Sequence, residues 1–176
     1  MKKQDILENQ VNLVYLALGS NLGNKKTNLN KCIDLIKKEE IFIKKKSKFY
    51  STKSWPNENF PNFINSIILI ETVLNVTELF LKIKTIEKKI GRTKSKKNYP
   101  RICDIDIIDF NGEIIHRKLG NHKLNTPHKR MHNRNFVLFP LYELYKDWTH
   151  PKFNKNIVNL MSNLASDQLL GVKIAQ

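Results

Sequence analysis

Hydrophobic and polar positions follow two rhythms along this chain, and the changes from one to the other mark its elements. Val11 to Leu18 is a short, mostly apolar run closed by Gly19-Ser20-Asn21, which predicts a buried strand entering a tight loop. Leu29, Cys32, Ile33 and Ile36 then recur at helical spacing, with Asn24 or Thr27 placed to cap the start. Ile41 to Tyr50 alternates with lysines as one exposed strand, and Phe63 to Thr72 is another. Between them runs the irregular stretch Ser51 to Pro61, carrying Trp55, Pro56 and Pro61; connections this long tend to be lids or binding loops. Thr77 is the expected cap of a second helix, with Glu78 in its first turn, Leu79, Phe80, Ile83, Ile86 and Ile90 on its apolar side, and Gly91 as the stop. A basic loop leads to Pro100, and Arg101 to Ile108 reads as the next strand. Asn111-Gly112 predicts a two-residue hairpin turn into Glu113-Ile114-Ile115. Asn133 to Tyr145 and Asn156 to Leu164 predict further helices, the latter with Ile157, Leu160, Met161 and Leu164 along one side.

The order strand, helix, strand, strand, helix, strand is the βαββαβ pattern of ferredoxin-like α+β domains. Such domains have an antiparallel sheet with helices on one face, here with additional C-terminal helices. With 176 residues the chain suits one domain, residues 11–176, behind a flexible leader at 1–10. No internal repeat or linker interrupts it. Apolar residues at 40% and charged residues at 27% fit a globular protein rather than a disordered chain. No window nears the roughly 18 apolar residues of a membrane span, and the start lacks a secretory signal, so the cytoplasm is the expected address.

A formal charge of +15 attracts nucleic acid, anionic membrane or small polyanions such as ATP without choosing among them. Much of it sits in runs such as Lys44 to Lys46 and Lys94 to Lys97, which an A+T-rich genome also produces. Cys32 on a helical stripe and Cys103 inside a strand are expected to be reduced core residues. The histidines His116, His122, His128, His132 and His150 include no paired zinc signature.

The candidate chemistry lies on the strand after Pro100. Alternation puts Asp104 and Asp106 on one face and Cys103, Ile105 and Ile107 on the other, with the two carboxylates about 6.5 Å apart along the backbone. Two like charges on an apolar strand repel, and a cation relieves them; magnesium commonly combines one or two carboxylates with substrate phosphates. The plainer alternative is the wet face of a half-exposed sheet. Arg92 and Arg101 frame the basic loop, and Arg134 and His128 could reach the same end. Carboxylates with arginines suit transfer of a phosphorus group, which demands charge neutralisation more than covalent chemistry. There is no Gly-x-x-x-x-Gly-Lys-Ser/Thr loop, because Gly19 to Gly23 is too short and has no Lys.

Several segments together, in order, resemble the 6-hydroxymethyl-7,8-dihydropterin pyrophosphokinase family. They are Leu18-Gly19-Ser20-Asn21-Leu22-Gly23, Phe49 to Thr52, Phe63-Ile64-Asn65, Ile86 to Arg92, Pro100 to Ile107 and Pro127 to Phe136. The resemblance implies two magnesium ions on Asp104 and Asp106, with Arg92 and Arg101 as further catalytic groups. ATP would be held by Glu87, Arg92, Arg101, Ile107, His128, Lys129 and Arg134. It also implies a pterin between the rings of Phe63 and Phe136, read by Asn65 and by the segment carrying Thr52, Lys53 and Trp55, with Asp104 close by. A flat heterocycle gains from stacking while its ring nitrogens need fixed partners. The chain departs from the family at Asn98-Tyr99, where a Trp is usual, at Lys129, where an aromatic is common, and at Lys53, where a Pro is common.

The implied reaction is attack of the pterin hydroxymethyl oxygen on the β-phosphorus of ATP, with AMP leaving, once the Thr93 to Asn98 and Ser51 to Pro61 loops have closed. The expected protein is a monomer that takes neither nucleic acid nor membrane. Two rivals stand beside it. One is a basic RNA-binding module of the same topology, whose sheet would present stacking aromatics. The other is a degenerate homologue that binds nucleotide or pterin without turnover.

Overall fold

The computed structural model describes residues 10–39, 41–93 and 98–175. The expected leader falls almost wholly outside them, as do Lys94 to Lys97. Strand β1 (Asn12–Ser20) is followed by helix α1 (Lys25–Lys37), β2 (Phe42–Lys46), β3 (Tyr50–Thr52), β4 (Phe63–Thr72), α2 (Val76–Lys89) and β5 (Asp104–Phe110). This is the βαββαβ order with its second strand split in two, and beyond it come β6 (Ile115–Leu119), β7 (His122–Thr126), a 3-10 turn at Met131–Asn133, α3 (Asn135–Leu144), β8 (Thr149–His150), β9 (Lys155–Asn156), α4 (Ile157–Ser162), α5 (Ser166–Leu170) and β10 (Val172–Ile174). The main sheet runs β10-β3-β4-β1-β5, with β2 also paired to β4, and every pairing is antiparallel.

Helix starts follow local chemistry. Asn24 accepts from the Thr27 N–H at 3.2 Å and opens α1. For α2 the cap is Asn75 rather than Thr77. Asn75 Oδ1 accepts from the Thr77 and Glu78 N–H groups, and Glu78 returns a bond to the Asn75 N–H. That reciprocal box satisfies several orphan donors and is worth about 1 kcal/mol over an apolar cap. Gly91, with φ at +102°, turns the chain away at the other end, a conformation that costs other residues strain.

Two expected strands are redrawn. Residues 41–50 do not form one strand. The buried Ser47 accepts from the Ile67 N–H at 3.0 Å and sits 3.0 Å from Ser66 Oγ, which breaks the ladder into β2 and β3. The strand read from Arg101 begins instead at Asp104. The Asn111-Gly112 turn exists, with φ of 55° and 69°, but the strands on either side of it do not pair. Asn111 closes onto β1 instead, exchanging main-chain and side-chain bonds with Leu13. The following residues form a separate hairpin, β6 with β7, turned at Gly120-Asn121.

Both faces of the sheet are covered. On one, α1 and α2 pack Leu29, Ile36, Leu79, Ile83 and Ile86 against Leu16, Leu18, Ile68, Ile70, Ile105 and Ile107. Cys32 and Cys103 are buried in the same layer and unpaired by disulfide. On the other, α3 and α4 bring Val137, Leu138, Leu141, Ile157 and Leu160 onto Ile67 and Ile108. Full burial of each such side chain stabilises by about 1.5–3 kcal/mol. The two helices of the ferredoxin-like unit share one face, as expected, and the additional C-terminal pair roofs the other.

Candidate active site

Register builds the site. Residues paired across antiparallel strands share a face, and Gly19 pairs with Asn65 on one side and Asp104 on the other. A row of polar side chains thus crosses three strands, with the Asn65 and Asp104 backbones roughly 10 Å apart. Gly19 leaves a bare floor between them. A Cβ added there would lie 3.2 Å from Asn65 Oδ1 and 3.6 Å from the Phe63 ring. Above this floor the roof of α3 and α4 stops short, and a cleft of about 1750 Å³ opens.

At one end of the cleft the charges hold one another. Asp104 accepts from Arg92 at 2.6 Å and from Arg101 at 2.7 Å. Arg92 also forms a close ion pair with Glu87, whose buried carboxylate accepts from the Ile105 N–H and from Lys84, both at 2.8 Å. Asp106 faces Arg134 at 3.5 Å and His128 at 3.9 Å. Burial pushes the Glu87 carboxyl up, against the pull of Lys84 and Arg92. Burial presses the same way on Asp106, but His128, Arg134, Lys84 and Arg92 together hold it below the usual carboxylate range. Desolvation, helped by Arg134 and Arg130 and opposed by Asp106, pushes His128 below its usual range. Burial raises no such doubt for Arg92, where Asp104 and Glu87 outweigh it. Arg101 Nε is buried with no acceptor among the described residues, a donor left open toward an anion.

The other end is flatter and less charged. Asn65 donates to Thr52 Oγ1 at 2.9 Å, both side chains being buried. The Phe63 ring lies 5.8 Å from the Arg101 guanidinium, and the Phe136 ring 5.3 Å from that of Arg134. Trp55, 72% exposed, stands at the mouth. Lys53 pairs with Glu58 at 2.6 Å within the same loop. Phe60 of this loop meets Tyr99 of the loop before β5, ring centres 5.4 Å apart.

Among the residues expected at the site, Thr52, Lys53, Trp55, Phe63, Asn65, Glu87, Arg92, Arg101, Asp104, Asp106, His128, Arg134 and Phe136 all line this one cleft. Two do not. The Ile107 side chain points into the opposite core, and Lys129 is exposed and borders a separate hollow of about 240 Å³ beside His116 and His150. Sequence reasoning missed the far end, where Phe80 and Lys84 of α2 meet His122 and Leu119 of the β6–β7 arm, with Phe80 and His122 edge to face at 5.5 Å. The Gly120-Asn121 turn signal announces that arm. It also took Asn21 as a turn residue, although its side chain bonds to two separate segments, Arg101 and both ends of the 54–61 loop. No cluster of three or more His, Cys, Asp or Glu ligands occurs among the described residues. Two carboxylates with room for phosphate oxygens still match the donor set magnesium prefers.

Fold and site together define a class: an α+β domain whose antiparallel sheet carries, at one uncovered end, an arginine-clamped carboxylate pair beside an aromatic-walled recess with amide donors. Comparison with known proteins supplies the particular family. The sequence model of 7,8-dihydro-6-hydroxymethylpterin-pyrophosphokinase matches residues 15–146. The 2-amino-4-hydroxy-6-hydroxymethyldihydropteridine pyrophosphokinase of Aquifex aeolicus is 39% identical over 142 residues, covering 81% of this chain and 86% of its own. That of Bacillus subtilis is 37% identical over 134 residues, 76% and 78% of the two chains. The chain belongs to this pyrophosphokinase family. The fold agrees: the HPPK-DHPS of Plasmodium falciparum, crystallised with pterin and p-hydroxybenzoate, superposes with a TM-score of 0.76 at 16% identity over 97% of this chain. This chain spans 49% of that longer one. No described helix is long and apolar enough to cross a membrane.

Proposed function

We propose that the cleft catalyses ATP-dependent transfer of pyrophosphate to 6-hydroxymethyl-7,8-dihydropterin, yielding the pterin diphosphate and AMP in folate biosynthesis. The observation that carries the proposal is the row Asn65, Gly19, Asp104, which sets an amide-lined recess and a phosphate-handling charge cluster on one floor. The pterin lies over Gly19 between Phe63 and Phe136, its polar edge read by Asn65 and the Thr52 to Trp55 main chain. The triphosphate runs toward Asp104 and Asp106, with Arg92, Arg101, His128 and Arg134 around it. The base reaches the gap between α2 and the β6–β7 arm, where Phe80 and His122 offer ring faces.

Asp104 and Asp106 would hold magnesium, two ions being the expected complement; bound there, magnesium neutralises phosphate charge and lowers the alcohol pKa. The chain's own groups do the rest. Arg101, with its open Nε–H, and Arg92 stabilise charge that grows on the phosphate oxygens as the bond to the α-phosphate breaks. The pterin oxygen forms the new bond to the β-phosphorus, and Asp106, kept ionised by its cationic neighbours, is available to take the hydroxyl proton. Closure of the Ser51 to Pro61 loop, whose Phe60 already meets Tyr99, excludes water. The cover of α3 and α4 over much of the second sheet face supports this reading over an RNA-binding module, whose stacking aromatics need an open sheet. This reading also carries a monomer, a single domain and a cytoplasmic address.

Incubation with ATP, magnesium and the pterin alcohol should release AMP and pterin diphosphate in equal amounts. Asp104→Ala and Asp106→Ala should each lower that rate by on the order of 10²-fold or more. Near-normal turnover in either variant would sink the metal assignment, and binding without turnover in the parent protein would leave the degenerate homologue.

A further inference from the structure

Asn21 sits where three segments meet. Its Oδ1 accepts from the Arg101 N–H at 2.8 Å, and its own N–H donates to the Arg101 carbonyl at 3.1 Å. Its Nδ2 donates to Ser54 Oγ at 3.1 Å and to the Pro61 carbonyl at 3.3 Å, and Ser54 Oγ closes the triangle by donating to Pro61 at 2.6 Å. The side chain is 1% exposed. The amide's orientation follows from its neighbours, because the Arg101 N–H requires an oxygen and the Pro61 carbonyl requires a donor. One half of Asn21 therefore fixes the residue whose guanidinium reaches Asp104, and the other half ties both ends of the 54–61 loop.

We infer that Asn21 is a positioning residue that joins the pterin loop to Arg101, so that order on the pterin side and placement of the phosphate-side arginine depend on one buried amide. The inference rests on the function proposed above. Asn offers an acceptor and two donors on one short, rigid stem. Asp offers acceptors alone, and Ser reaches neither segment fully. The two halves can thus be cut separately.

In Asn21→Asp the acceptor for the Arg101 N–H remains, while both donations to the loop are lost: a carboxylate meets the Pro61 carbonyl, and the Ser54 hydroxyl can bond it only by giving up Pro61. Asn21→Ala cuts both halves. Ser54→Ala removes only the hydroxyl that links Asn21 and Pro61. Steady-state AMP release is measured for each, varying pterin and ATP separately, with thermal melting on the same samples. Asn21→Asp and Ser54→Ala should raise the pterin KM by roughly tenfold, as expected for a buried donor or acceptor left unpaired, and shift kcat less than the pterin KM. Asn21→Ala should add a fall of about tenfold in kcat, the mark of a displaced Arg101. Equal kcat losses in Asn21→Asp and Asn21→Ala, or an unchanged pterin KM in Ser54→Ala, overturn the inference. Should the Asn21 variants fail to fold, Ser54→Ala decides alone. Failure of the parent protein to release AMP refutes the proposed function instead, so the two failures are distinguishable.

Discussion

Arg101→Ala separates what the site needs from what the fold needs. The substitution leaves the main chain in place, so the two bonds with Asn21 survive. It removes the contact to Asp104 at 2.7 Å, between side chains 22% and 25% exposed. Such a partly solvated pair is worth about 1 kcal/mol or less. It also removes a buried Nε–H that lacks an acceptor, and deleting an unsatisfied donor returns about 1–3 kcal/mol. The balance lies within about 2 kcal/mol of zero, which for a chain of this size moves Tm by no more than about 4–8 °C. Catalysis responds differently. Losing a charge-assisted donor aimed at growing phosphate charge costs about 3–4 kcal/mol, on the order of 10²–10³ in kcat. Arg101→Lys keeps the charge without the planar fork and should recover about one decade of that loss. AMP release and thermal melting on the same preparations test the argument. A kcat loss below tenfold, or a melting point that falls by more than about 10 °C in step with activity, would refute it.

Gly19→Ala places a methyl 3.2 Å from Asn65 Oδ1 and 3.6 Å from Phe63; crowding of about 1 kcal/mol should weaken pterin binding about fivefold by calorimetry while leaving ATP affinity nearly unchanged. Trp148 donates to the buried Asp109 at 2.8 Å, a carboxyl that burial already pushes up. Trp148→Phe should lower unfolding stability by about 1–3 kcal/mol in urea titration. Desolvation lowers His150 from 6.5 to about 4, so the unfolded chain takes the proton first as pH drops. Stability is then fully present above pH 6.5 and falls by about 3 kcal/mol down to pH 4 from this group alone. His150→Gln should flatten that slope, and an unchanged slope would show that His150 titrates normally.

Where one rhythm decided an element, the chain could be read directly. The two-residue period set the opposite faces of Asp104 and Ile105, and the helical stripes of α1 and α2 needed no tertiary help. The cap at Asn75 was also legible, because Asn75 and Glu78 have capping-box spacing and Asn caps better than Thr by residue type, yet Thr77 is itself a common capper. The break at Ser47 was not legible. It depends on Ser66 and Ile67 some twenty positions away. Asn111-Gly112 announced its turn correctly, but which strands a turn joins depends on what already occupies the sheet edge. The site followed the same division. Residues fixed by strand period fell together, while Asn21, Lys84 and His122 became visible only when separate loops were brought onto one cleft. Lys129 matched a motif by position, although the turn there carries its side chain outward.

Because helices cover both faces of the sheet except at one corner, mutational tolerance is divided by place. The packed layers accept little change in volume. The 55–60 stretch and Asn98-Tyr99 lie outside both cores, so their length and composition can drift with small cost to folding. Grafting those loops from a relative is then a route to altered substrate preference in which the recipient scaffold stays the same, provided the graft keeps a hydroxyl and a carbonyl within reach of the amide at position 21.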